Sequence, residues 1–232
     1  MRGSGYHWLV AFLLLSSAGA ATQAPAGSDQ LDRVVKATTV MDEIMGAPDQ
    51  AIPDSVLAKA EGIAVFPSTI KAGFIFGAHR GRGIISVRDR EAGTWSAPAF
   101  LTLTGGSFGA QIGGQAVDVV LVIMNRQGLE NLLGNEFKLG VDASVAAGPV
   151  GREAGASTDV QMRATILSYS RARGLFAGIT LKGTAIRRDA DSNDDFYGQP
   201  YETRDIVLDG RAGSQLPDAV DRWRSTLNRH TR

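Results

Sequence analysis

Residues 62–87 read GIAVFPSTIKAGFIFGAHRGRGIISV. Three short apolar runs, 62–66, 72–76 and 83–87, are rich in β-branched and aromatic residues and are broken by Pro67 and by glycines. Runs this short, bounded by such breakers, are strands rather than helices. Moving toward the C-terminus, Glu91-Ala-Gly93 reads as a hairpin loop before Trp95. Residues 100–104 alternate, and 116–124 (AVDVVLVIM) is the most β-branched stretch, a buried strand despite Asp118 near its start. Asn125 can cap a short helix through Leu133, ended by Gly134. Residues 137–147, 160–169 and 175–181 alternate again, 187–215 is polar, and 217–228 fits a last helix. Toward the N-terminus, a short helix fits 53–60. A longer one runs from Asp29 to Met45, with Leu31, Val34, Val35, Met41, Ile44 and Met45 on one face. Helices at both ends of a run of short strands predict an α+β fold. Its sheet is predominantly antiparallel, sandwich- or barrel-like, with an N-terminal amphipathic helix and a C-terminal helix.

Composition narrows the function classes. The chain has 232 residues, 24 basic and 24 acidic, three histidines and no cysteine. Balanced charge lacks the strongly basic footprint of a nucleic-acid-binding domain. Without cysteine there is no disulfide framework, no thiolate zinc site, no thiol nucleophile and no cysteine-linked lipid anchor. The 28 glycines are in excess and imply tight turns, bulges and close strand contacts. Glycines recur four apart at 73, 77 and 81 and at 105, 109 and 113, in β-like surroundings rather than in a helix.

Residues 1–24 read as a secretory signal peptide. Arg2 supplies the positive start, Trp8 to Leu15 an apolar core too short to span a bilayer, and Ala18-Gly19-Ala20 a small-residue cleavage pattern. Residues 25–232 are then one domain with a C-terminal helical extension. Cleavage near Ala20 removes Arg2 and leaves 23 basic against 24 acidic residues. The expectation is an exported protein, periplasmic or secreted.

Catalytic look-alikes fail on context. Gly105-Gly-Ser107-Phe-Gly109 matches the nucleophile-elbow pattern, but a glycine-interrupted, β-branched stretch follows where a helix is required. Only His230 lies beyond Ser107 in the chain as that family order demands. Ser68-Thr-Ile-Lys71 has the serine–lysine spacing of penicillin-recognising enzymes, which place the pair on one helix face. Here it falls in strand-like sequence, where residues three apart point to opposite faces. Asp189-Ala-Asp191-Ser-Asn193-Asp-Asp195 alternates oxygen donors as a calcium loop does, yet Asp194 replaces the required glycine and Pro200 the closing acid. It reads as a solvated acidic loop.

Lys71, His79, Arg80 and Arg82 lie within twelve residues among Gly73, Gly77, Gly81 and Gly83. Glycine-rich turns can aim backbone amides at an anion, and arginine adds bidentate contacts to phosphate. The segment is a candidate phosphate-headgroup site; its alternative is a solvated hairpin tip. The first helix has a polar face of Asp29, Asp32, Arg33, Lys36, Asp42 and Glu43, net −2. Membrane-surface helices carry basic polar faces, so packing of this helix on the sheet is favoured.

A family resemblance lies in Lys59-Ala-Glu-Gly-Ile-Ala-Val-Phe-Pro67, Ala72-Gly-Phe, Gly81-Arg-Gly-Ile, Trp95-Ser-Ala-Pro98, Gly105-Gly-Ser-Phe-Gly-Ala-Gln-Ile-Gly-Gly-Gln115 and Gly148-Pro-Val-Gly-Arg152. In this order and spacing they resemble the SYLF domain family over roughly Leu31 to Arg187. The resemblance implies a non-enzymatic lipid-binding module. Eukaryotic relatives bind phosphoinositides, partly through an amphipathic helix at the start of the domain, and some bind actin and carry an SH3 domain. By position that helix is the Leu31–Met45 stretch. The resulting expectation is recognition of anionic phospholipid headgroups by Lys71, His79, Arg80 and Arg82, with apolar contact from Leu31, Val34, Val35, Met41 and Ile44. No cofactor, metal or nucleic acid is expected. The alternatives are a protein partner in the envelope and, remotely, a serine hydrolase using Ser107 or Ser68.

Overall fold

The computed structural model describes residues 27–47, 49, 51–73, 76–108, 115–151, 163–172, 175–176 and 181–231. The leader of residues 1–24, Phe74 and Ile75, Gly109 and Gly113 lie outside the described residues.

The apolar run 62–66 continues through Pro67 and the polar residues after it into one long strand, β1 (Gly62–Gly73), while the run expected over 72–76 is divided between the end of β1 and the start of the next strand. The register of β1 shifts against both neighbours around Pro67 and Ser68, and Ser68 takes a positive φ of 49°. Proline has no amide to give the ladder, so a bulge is where it is tolerated. The freed amide of Ser68 donates to Asp118 Oδ1 at 2.8 Å. That contact explains an acid in β5 (Gln115–Ile123), a strand apolar from Ala116 onward but for Asp118. The basic segment is not a single turn either: Lys71 lies in β1, and His79, Arg80 and Arg82 lie inside β2 (Phe76–Asp89), whose amides are committed to ladders with β1 and with β4 (Ala99–Phe108). Gly83 lets β2 cross β1 closely, since a Cβ there would lie 2.3 Å from the Val65 carbonyl oxygen.

The remaining strands are β3 (Thr94–Trp95), β6 (Glu136–Lys138), β7 (Val145–Ala147), β8 (Ile166–Ala172), β9 (Leu175–Phe176) and β10 (Ala185–Arg188). The expected strand over 137–147 is thus two short strands, with a turn at Gly140 (φ 75°) between them. Sheet order is β6-β10-β4-β2-β1-β5-β8-β7, with β3 on β2 and β9 on β8; every pairing is antiparallel except β7 with β8. The sheet is strongly curled, so the expected α+β, mainly antiparallel class holds.

Alternation along the strands builds two cores. The inner face carries Phe66, Ile85, Leu101, Leu103, Val119, Leu121, Phe137 and Ile186, with α3 (Arg126–Leu132) and a short helix α5 (Thr203–Val207) packed against it. The outer face carries Ile63, Val65, Ile84, Phe100, Val120 and Val122. It is covered by α1 (Ser28–Met45), α2 (Asp54–Leu57) and α6 (Asp218–His230). α3 is capped as expected, Asn125 Oδ1 accepting from the Gly128 amide at 2.9 Å.

The polar stretch 187–215 is more ordered than its composition suggests. Residues 189–195, expected as a solvated acidic loop, instead supply the N-cap Asp189 and the first turns of α4 (Ala190–Tyr197). Asn193 is fully buried and its Oδ1 accepts from the Phe100 amide at 2.8 Å, so these oxygens serve the fold.

Candidate functional site

Strand alternation divides the four basic candidates. Lys71 pairs with His79 across β1 and β2, and Ile70 with Arg80. Lys71 and His79 therefore share the inner face, whereas Arg80 and Arg82 share the outer one with Ile70. The structure brings these residues together as two pairs, one on each side of the sheet, rather than as one cluster.

His79 is buried and its Nε2 lies 2.8 Å from Thr184 Oγ1 on the neighbouring connection to β10. It fills the space over Gly105, where a Cβ would lie 2.5 Å from Nε2. Burial holds its pKa below the ordinary histidine value, and the nearby Lys71 ammonium pushes the same way. A neutral imidazole packed inside the curl is a structural group.

Arg80 and Arg82 point the other way and are exposed. They lie beyond the part of the outer face that α1 and α6 cover. Opposite them on β4 stand Thr104 and Thr102, both half-buried. Neither arginine makes an ion pair or a side-chain hydrogen bond among the described residues. Both guanidiniums are free to take a bidentate anion. Ile70, 62% exposed, sits directly across from Arg80. Ile70 was missed from sequence because the bulge at Pro67 resets the alternation that would have revealed its side.

The apolar candidates on α1 also divide. Val34, Met41 and Ile44 are buried in the outer core. Each such burial contributes roughly 1.5–3 kcal/mol, so they hold α1 to the sheet. Leu31 and Val35, four residues apart, remain 37% and 42% exposed. Arg33, grouped by spacing with the polar face, is buried: its Nη1 lies 2.8 Å from Asp189 Oδ2, its Nη2 donates to Ser192 Oγ, and its guanidinium stands 5.1 Å from the Phe100 ring centroid. It pins α1 to α4.

The look-alike motifs gain no catalytic geometry. Ser107 lies in the β4 ladder opposite Gly77, not at a strand-to-helix turn. Ser68 sits at the β1 bulge, three residues from Lys71 along a strand. Among the described residues no three His, Asp or Glu side chains are placed to share a metal ion. At the far end of β2 a cavity of about 490 Å³ is lined by Arg88, Arg90, Arg126 and Arg224 together with Glu61 and Asp89. Its arginines are largely spent on the protein. Arg88 donates to the carbonyls of Ala58 and Thr231, and Arg90 to Glu61 and the Lys59 carbonyl.

The molecule is a curled, mainly antiparallel sheet closed by helices from both ends, with Arg80 and Arg82 exposed on a face that the described helices leave open. Comparison with known proteins agrees with the motif pattern. The Ysc84 family profile, described as Las17-binding protein actin regulator, matches residues 104–230, and the chain belongs to this family of SYLF-domain proteins. Protein YSC84 of Saccharomyces cerevisiae is 35% identical over 194 residues, 82% of this chain and 40% of the yeast protein. LAS seventeen-binding protein 3 of the same yeast is 38% identical over 184 residues, 77% of this chain and 38% of its own length. SH3 domain-containing YSC84-like protein 1 of Homo sapiens is 36% identical over 162 residues, 69% and 47% of the two chains. The match spans less than half the length of each of these relatives.

Proposed function

We propose that this chain is a non-enzymatic lipid-binding module of a bacterial cell envelope, periplasmic or secreted, that recognises anionic phospholipid headgroups. The observation that carries the reading is the exposed Arg80 and Arg82, without a side-chain partner among the described residues, on the sheet face that the described helices leave open. Guanidinium forks match phosphate oxygens, and the two threonines opposite offer hydroxyl donors within the same patch. The export reading of residues 1–24 supports the location. Lys71 and His79 are left out of the headgroup contact, because they face inward.

The test is flotation of the protein with vesicles of phosphatidylcholine alone and with added phosphatidylglycerol or cardiolipin, at low and high salt. Binding that needs anionic lipid, fades as salt screens exposed charge, and drops at least tenfold in Arg80→Gln with Arg82→Gln is the expected result. Equal binding by the double variant would overturn the assignment of the site. A second reading, an envelope protein partner, is favoured by the names of the relatives, which are described by what they bind or regulate among proteins. It predicts no vesicle binding at any lipid composition.

A further inference from the structure

The open face extends well past Arg80 and Arg82. Arg80 is opposite Thr104, Thr104 opposite Ala185, and Ala185 opposite Lys138. One row along, Arg82 is opposite Thr102, Thr102 opposite Arg187, and Arg187 opposite Glu136. Directly paired residues share a face. Lys138 and Arg187, distant in sequence, therefore stand on the same outer surface as the two arginines, and each side chain is 52% exposed. The acid between them is Glu136. It accepts from Arg187 Nε at 2.9 Å and Nη2 at 2.7 Å, and Lys138 Nζ lies 3.4 Å away. The Arg187 guanidinium, and then Lys138, hold its carboxyl below the usual carboxylate range, so it stays ionised. At the other end of the upper row stands the exposed Ile70. Four strand spacings separate Lys138 on β6 from Ile70 on β1, about 19 Å along the curled sheet. One phosphate group engages one or two guanidiniums. Two adjacent rows this wide, with cations on β6, β10 and β2, threonines on β4 between them and an apolar residue at one end, complement a surface that carries many phosphates above an apolar layer.

We propose that this outer sheet face is itself the docking surface for an anionic bilayer, with Ile70 entering the headgroup boundary. Glu136 sets its strength by occupying Arg187 and Lys138. The inference rests on the lipid reading above and deepens it. It moves the contact from two arginines to a row spanning β6, β10, β4, β2 and β1, and names the residue that tempers it.

The test compares full-chain variants on phosphatidylcholine vesicles with and without phosphatidylglycerol, each checked for folding by circular dichroism. Glu136→Gln frees two cations and is expected to bind anionic vesicles about fivefold more tightly, and Arg187→Gln about fivefold more weakly, one surface charge each. Ile70→Ser lowers affinity without changing its salt dependence. Lys59→Gln, an equal charge change at the other end of the sheet, leaves binding as it was. Inorganic phosphate at constant ionic strength does not displace the vesicles. If the wild-type chain binds anionic vesicles while Glu136→Gln and Arg187→Gln match Lys59→Gln, the extended surface is wrong and the lipid reading stands. Displacement by free phosphate would instead reveal a single-phosphate site and overturn the proposal. A wild-type chain that binds polyglutamate but no vesicle overturns both, in favour of an acidic protein surface.

Discussion

At the residue scale, one side chain's direction decides its role. His79 and Arg80 are adjacent, yet one is buried against Thr184 and the other is solvated. The buried imidazole has a measurable consequence. Its folded pKa is lowered, so below the ordinary value near 6.5 the unfolded chain binds its proton more readily than the folded one. Stability through His79 is present in full above pH 6.5 and falls as pH drops from there through the lowered folded value. Urea denaturation between pH 7.5 and 5 is expected to show this loss. In His79→Gln, which keeps a polar group near Thr184, the dependence should be shallower than in wild type, and an unchanged slope would remove His79 as its source. Glycine works at the same scale. Gly83 and Gly81 look like part of an anion-binding turn in sequence, but a Cβ at Gly81 would meet Thr69 Oγ1 at 2.4 Å, so both serve close packing against β1.

Elements show why half of an amphipathic face can be misassigned. The apolar stripe of α1 is real, but only the side of it carrying Val34, Ala37, Val40, Met41 and Ile44 is buried, and Leu31 and Val35 fall outside the contact. Met41→Ala should therefore cost about 2–5 kcal/mol in denaturant titration. Leu31→Gln with Val35→Gln should stay within about 0.5 kcal/mol per site. If the double change weakens vesicle binding while stability is kept, α1 joins the docking surface; unchanged binding confines docking to the sheet. β5, the core of β4 and the far ends of β1 and β2 were legible because short β-branched runs bounded by glycine and proline, or a period of two, report on a buried ladder. The middle of β2 was not, because the glycines and arginines of 77–82 carry the local signal of a turn. Nor was α4. Its sequence ADSNDDFY has little apolar signal, and the helix is held by Asp189, by Arg33 reaching from α1, and by Phe196 standing edge-on to Phe100 with ring centroids 5.1 Å apart.

For the whole molecule, the two ends of the chain close one core. α6 packs on α1 and lays Trp223 into the outer core, its Nε1 donating to Ser86 Oγ at 2.8 Å. Asp42 of α1 meets both Arg229 and His230 of α6. Trp223→Ala should cost about 3–5 kcal/mol and loosen both helices together, read as one cooperative loss of helical signal on heating. Separate melting of α1 and α6 would show that they are not coupled. Charge is also distributed at this scale. The chain is neutral by count, yet Arg80, Arg82, Arg187 and Lys138 gather on one sheet face, with Glu136 the one acid paired into these rows among the described residues. Net charge concealed that asymmetry, because a count carries no direction.

The sequence by itself determined the strand texture, the terminal helices, the capped α3 and the family, since each is written in local periodicity or in motifs with fixed spacing. It also placed Arg80 and Arg82 among the candidates, because arginine beside glycine is a local pattern. Which face each side chain occupies was set by long-range pairing in the folded sheet. A bulge at Pro67 changes the alternation of β1, and pairing between distant strands brings Arg187 and Lys138 beside the arginines of β2. Register is a relation between segments far apart in the chain, so no single segment encodes it.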